Sequence, residues 1–354
     1  MMMRKKYMMV IMSLFIGWHC LAQGERGNIC SLMDAPDTTG IWLQPAQTVN
    51  AYPKWGHVNG IQIGLWPTSG PRGLIRVYTP YLNQPTDYVM NFLAIEPIVF
   101  GTEVRGLSEL EKSIVDQKKG KIFWSSNDTC SLNTEVKCPA PGIIETIDGE
   151  QTLTLYVFVE PFENGVKVYV RLRFFERRPY ELEVSTFTYG NSICPKYCVI
   201  TSTMGNKARL RKLYLKTGIE TSYEYWPCYR DMNFAPHKHI PVSQLLSSSR
   251  NEVYFIAAPN EQEPSSVDLL PRTNPHWKYH GLKATQYWKY ATPNVLTEGI
   301  VNGRYVYWAS NSPIPGGISF ENFELKTPYR QGDSFVFGIT PLSPEEFIRE
   351  EDIR

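Results

Sequence analysis

The chain has 354 residues, with 36 basic and 35 acidic side chains, and 13% of it is aromatic. Three basic residues and no acidic one fall in the first 22 positions, so the remainder carries −2, which offers no electrostatic footprint for nucleic acid or an anionic membrane. The sequence contains no G-x-S-x-G elbow, P-loop, H-E-x-x-H or strand-associated dinucleotide fingerprint, which excludes the common serine hydrolases, NTPases, most zinc proteases and classical dehydrogenases, and no cofactor is expected.

Arg4, Lys5 and Lys6 precede an uncharged, largely apolar run from Tyr7 to Trp18, and small Ala22 precedes Gln23. This order of basic, apolar and small residues predicts a secretory signal over residues 1–22, cleaved after Ala22, and hence a secreted or periplasmic protein. Cys20 raises lipid modification as an alternative, but Trp18 and His19 stand where that signal wants small residues. No later segment is long and apolar enough to span a membrane. Six cysteines follow, at 30, 130, 138, 194, 198 and 228, an even number that suggests disulfides after export. Cys130–Cys138 is the easiest local closure. Cys194 and Cys198 have metal-like spacing but lack a second pair, so no metal is expected.

Residues 23–354 are expected to form a single large all-β domain, an antiparallel β-sandwich with few short helices. Short strands are predicted at Ile61–Trp66, Leu74–Tyr81 and Val89–Ile95, and Ser108–Asp116 suggests a short helix. The clearest pattern runs from Gln151 to Glu160, where Leu153, Leu155, Val157 and Val159 share one face. Glu163-Asn164-Gly165 then signals a hairpin, and the return strand puts Val166, Val168, Val170, Leu172 and Phe174 on one face. Glu181–Tyr189 completes a three-stranded meander. Further strands are expected at Cys198–Met204, Leu210–Lys216, Val253–Ala258, Tyr305–Ala309, Ser319–Leu325 and Ser334–Ile339. Pro259–Pro271 reads as a long loop or lid, with a possible C-terminal sub-layer from about 272. Ser343-x-x-Glu346 predicts a capped helix running to Asp352.

Several residues stand out as candidates for chemistry. His237 and His239 flank Lys238, so an extended backbone points both imidazoles to one face, where they could act as base and helper. Arg72 and Arg76 lie near Trp66 and Tyr78. Glu96 ends an apolar run, where a lone carboxylate is costly unless paired, and Arg105 is the natural partner. Glu96 and Glu109 could instead form an acid–base pair for glycoside hydrolysis. The segments Asn274–His280 and Gln286–Tyr290 mix aromatics with hydrogen-bonding heads, which suits a hydroxylated ligand. His276, Trp277, Tyr279 and Trp288 are the ligand-binding candidates there, along with Trp66, Tyr78 and Arg105.

The signal-like leader, Ala-Gln junction, length and aromatic-rich strands together resemble secreted glycan-processing proteins. Within them, the long β runs look like the galactose-mutarotase-like supersandwich, a fold of polysaccharide lyases, glycosidases and sugar epimerases. The resemblance implies an enzyme cleaving an oligo- or polysaccharide, with glycan as its partner. A lyase would use His237 or His239 as base and Arg72 or Arg76 to neutralise a uronate. A hydrolase would use Glu96 and Glu109. The alternatives are a non-catalytic glycan-binding protein and an extracellular structural or adhesion module.

Overall fold

The computed structural model describes residues 33–83, 89–102, 104–130, 138–204, 209–259, 284–306, 311, 313–314 and 316–354. The expected signal segment, Cys30, most of the expected lid, the possible sub-layer boundary near 272, the Asn274–His280 segment with His276, Trp277 and Tyr279, and most of the strand expected at Tyr305–Ala309 lie outside these residues.

Strands β1 (Asp37–Thr39), β2 (Trp42–Gln44), β3 (Lys54–His57), β4 (Gln62–Gly64), β5 (Ile75–Tyr78) and β6 (Val89–Val99) run as an antiparallel meander. The chain then crosses to a second sheet with β7 (Phe123–Ser126), β8 (Ile143–Ile147), β9 (Glu150–Val159), β10 (Val168–Phe175) and β11 (Glu181–Thr188). Strand β12 (Pro195–Met204) returns to the first sheet, whereas β13 (Lys212–Leu215) and β14 (Gly218–Thr221) lead to the far edge of the second. After α1 (Ser222–Tyr225), β15 (Lys238–Pro241) forms an edge of the first sheet. Strands β16 (Leu246–Ser247), β17 (Val253–Ala258) and β18 (Thr285–Tyr290) belong to the second, β19 (Glu298–Arg304) and β20 (Ser319–Lys326) to the first, and β21 (Ser334–Thr340) to the second. Helix α2 (Pro344–Glu350) follows.

The protein is thus an all-β sandwich of two large antiparallel sheets. The first has the order β1-β2-β3-β4-β5-β6-β12-β20-β19-β15 and the second β14-β13-β17-β18-β21-β11-β10-β9-β7, with β16 on β17 and β8 on β9. Among the described residues, no helix is long and apolar enough to cross a membrane.

Period-two alternation explains the packing. Leu153, Leu155, Val157 and Val159 of β9 face the same core as Val168, Val170, Leu172 and Phe174 of β10. From the first sheet they meet Trp55, Ile63, Val77, Leu93, Ile95, Phe323 and Leu325. A reciprocal amide pair crosses this core. The side-chain amides of Asn91 on β6 and Gln286 on β18 exchange two hydrogen bonds of 2.9 Å, and Asn91 also donates to Ser202 Oγ.

The segment read as a wet aromatic cluster, Gln286–Tyr290, is instead the buried strand β18. Its alternation sends Gln286, Trp288 and Tyr290 into the core, and the Trp288 indole N–H donates to the Phe323 carbonyl at 2.9 Å. Tyr287 lies on the other face of the second sheet, flat across Gly338, where a Cβ would fall 2.0 Å from its ring. That glycine lets the Tyr287 hydroxyl reach Glu181 on the next strand at 3.0 Å. Phe347 of α2 stacks on Tyr287 at 4.3 Å. The expected capping box holds α2: Ser343 Oγ accepts from the Glu346 N–H and Glu346 accepts from the Ser343 N–H.

Two other local expectations are corrected. Ser108–Asp116 forms turns rather than a helix, because Ser108 Oγ bonds the Gly73 carbonyl and the Ile95 N–H and so ties the segment to the sheet. Cys130, Cys138, Cys194, Cys198 and Cys228 are all free thiols, so the suggested Cys130–Cys138 bridge is not formed.

Candidate functional site

The outer face of the first sheet carries an ordered lattice of polar side chains. Strand register places Ala94, Thr201, Glu324, Ile300 and His239 side by side across β6, β12, β20, β19 and β15. On β6 the alternation that turns Leu93 and Ile95 inward turns Glu96 outward. Beyond the end of β5, the Arg105–Ser108 segment takes over as the neighbour of β6. Gly106 N–H donates to the Pro97 carbonyl, and Arg105 bridges Ile98. Arg105 therefore shares the face of Glu96.

A bulge in β20 adds to this face. Val301 pairs with Phe323, but Gly303 pairs with Phe320, so β20 holds one extra residue opposite Asn302. Phe320 and Phe323 both point into the core, which leaves Glu321 and Asn322 together on the outer side. Asn302 Oδ1 accepts from the Asn322 N–H at 3.0 Å and holds the bulge.

These features assemble four glutamates. One nitrogen of Arg105 donates to Glu96 at 2.6 Å and to Glu324 at 2.8 Å. Thr201 Oγ1 donates to the same Glu324 oxygen at 2.6 Å, and the other Glu324 oxygen has no hydrogen-bond partner among the described residues. Glu324 is wholly buried and Glu96 nearly so. Burial, reinforced by the charge of Glu324 and opposed by Arg105, pushes Glu96 up to about 7. The same Arg105 is raised despite its burial by Glu324 and Glu96. Nearby, Glu321 lies 3.8 Å from Arg304 and is also pushed up to about 7, by burial and by Glu109 against the pull of Arg304. Half-buried Glu109 is raised by burial, against Lys119 and Arg304. Glu96 and Glu321 both feel the charge of Glu109, so the carboxyls form one electrostatic cluster.

The histidine pair lies on the same face, at the sheet edge. His237 and His239 have ring centroids 6.5 Å apart. His237 Nε2 stands 3.4 Å from the Asn302 amide nitrogen. Burial of part of its ring lowers its pKa, with Glu324 pulling the other way and Arg105 assisting. His239 Nδ1 is 3.0 Å from Glu298, which is also bonded by Lys326 at 2.7 Å. Burial works to raise Glu298, but Lys326 and His239 hold it below the usual carboxylate range. Phe234, 39% exposed, pairs with Arg304, whose guanidinium sits 4.5 Å from its ring centroid.

Sequence reasoning named Glu96, Arg105, Glu109, His237 and His239, and the fold brings these to one face. It missed Glu321, Glu324, Arg304, Asn302 and Phe234. For Glu321 and Glu324 the signal was present in Ser319-Phe-Glu-Asn-Phe-Glu324, where two polar residues instead of one separate Phe320 from Phe323. The other candidates lie elsewhere or are committed to structure. Arg76 is fully buried and donates to the carbonyls of Ser69, Leu74, Thr68 and Pro71, so it staples a loop. Arg72 makes a two-pronged pair with Asp116 and lies 5.4 Å from the Trp66 ring. Tyr78 is buried beneath Lys54, and Trp288 is buried in the core. No group of three or more metal-binding side chains occurs among the described residues.

In comparisons with protein-family models, curated proteins and solved structures, none matches this chain.

Proposed function

We propose that the protein is an exported carbohydrate-active enzyme that hydrolyses glycosidic bonds on the outer face of the first sheet. The supporting observation is the glutamate cluster: Glu96 and Glu321 are pushed to about 7, and each is coupled to Glu109. A carboxylic acid that still holds its proton near neutral pH is a general acid at working pH, and a neighbouring carboxylate supplies the base. In this reading Glu96 protonates the departing glycosidic oxygen. Glu109, which retains solvent access, takes the proton of the attacking water. Arg105 and Glu324 are positioning residues that fix Glu96 and set its proton affinity. His237, His239 and the half-buried Asn322 supply hydrogen-bonding heads for sugar hydroxyls, and Phe234 offers a partly exposed apolar ring. The leader over residues 1–22 supports placement outside the cytoplasm.

Incubation with a glycan panel, read by new reducing ends, tests the proposal. Wild-type protein should release products, and Glu96→Gln should lower kcat by roughly 10²–10⁴ with unchanged folding, the usual range for a lost general acid. Glycan binding without product release by the wild type would replace the enzyme with a binding protein. Unsaturated uronates among the products would replace hydrolysis with elimination.

A further inference from the structure

We infer, resting on the sugar-site reading above, that the site takes a neutral, hydroxyl-bearing sugar chain and rejects uronate or sulfated ones. An anionic sugar brings a charge that must leave water, and it needs a cation to receive it. Among the described residues, the cations in contact with the cluster are already matched with carboxyl groups. Arg105 serves both Glu96 and Glu324, Arg304 lies against Glu321, and Lys326 lies on Glu298. Glu109 draws on Lys119 and Arg304. A substrate carboxylate would find each of these cations already facing a carboxyl group of the protein. Like charges brought together in a shielded site are a strong means of rejecting a wrong partner. A neutral ring meets no such barrier. It finds the exposed His237 and His239, the half-buried Asn322 and the partly exposed ring of Phe234 on the same face.

Calorimetric titration at pH 7 and low salt checks this with two probe sets of equal chain length. One comprises neutral gluco-, xylo-, manno- and galacto-oligosaccharides, the other oligogalacturonides and alginate oligomers. Glu96→Gln is used to suppress turnover, and retardation of the wild-type protein in gels containing the matching polysaccharides serves as a second readout that does not depend on the variant folding. At least one neutral set should bind roughly tenfold or more tighter than any uronate. Glu109→Gln should raise uronate affinity roughly tenfold while changing neutral binding less, because it releases charge on Lys119 and Arg304. Equal or tighter uronate binding, or binding of neither class, would overturn the inference, as would uronate affinity that Glu109→Gln leaves unchanged. Neutral binding with no cleavage by the wild type would leave the ligand class standing and remove the catalytic reading.

Discussion

Glu96 and Glu324, on strands β6 and β20, accept hydrogen bonds from one and the same nitrogen of Arg105. That nitrogen joins a surface segment to the middle of the first sheet, across 219 residues of sequence in the case of Glu324. Removing one partner of such a group strands the rest as buried, uncompensated charge. Arg105→Met should therefore cost about 3–5 kcal/mol in urea denaturation. Adding Glu96→Gln and Glu324→Gln to Arg105→Met should recover much of that loss. A loss below about 1 kcal/mol for the single variant would mean that water reaches the carboxylates freely.

The raised acids also predict how stability changes with pH. Glu96 and Glu321 shift from 4.5 to about 7 on folding, so the folded state holds protons that the unfolded state has already released. Their contribution is fully present below about 4.5 and is lost as pH rises through 7, at on the order of 1 kcal/mol per pH unit for each group. His57 and His237, both lowered by burial, act oppositely below the ordinary imidazole value of 6.5 and so offset part of the fall that the acids produce between 4.5 and about 7, above which the slope vanishes. Glu321→Gln mimics the protonated acid. It should match the wild type near pH 5, exceed its stability at pH 8, and flatten the slope in denaturation series across that range.

The amide exchange between Asn91 and Gln286 makes a separate prediction about how the sheets are held in register. Both side chains are wholly buried, and each satisfies the other. Asn91→Leu leaves the Gln286 amide without its partner and should cost about 1–3 kcal/mol. The double variant Asn91→Leu/Gln286→Leu removes both polar groups and should be the more stable of the two. Additive losses in the double-mutant cycle would show that the pair does not interact energetically.

The sandwich was legible where strands alternate strictly. The β9–β10–β11 meander and β17 emerged nearly at their true bounds, because each buries one face and marks its turns. Strands β1, β2, β7 and β8 escaped notice because they are only three to five residues long and show no clear period. Strand β18 was misread for a different reason. Gln286-Tyr-Trp-Lys-Tyr290 mixes polar and aromatic residues without alternating them, and both of its faces are covered, so the polar residues find partners within the protein rather than solvent. At the site, Glu96 and Arg105 could be paired from sequence because an acid in an apolar strand demands a nearby cation. Glu324 could not, since only the strand order brings it to the same nitrogen. Glu321 depends on a bulge that leaves no mark beyond one extra residue between two phenylalanines.

The free thiols give a prediction that bears on both export and folding. Cys130, Cys194 and Cys228 are exposed and Cys138 is half-buried, while Cys198 is buried and its thiol is pushed up to about 12 by burial and by Glu96. The thiolate is the reactive form, so a buried thiol with that affinity for its proton is doubly protected. In the folded protein, iodoacetamide followed by mass spectrometry should modify Cys130, Cys138, Cys194 and Cys228 and leave Cys198 untouched. Brief transfer to denaturant should expose Cys198 as well. Protection of Cys130 and Cys138 from the reagent until a reductant is added would overturn the assignment of both as free thiols.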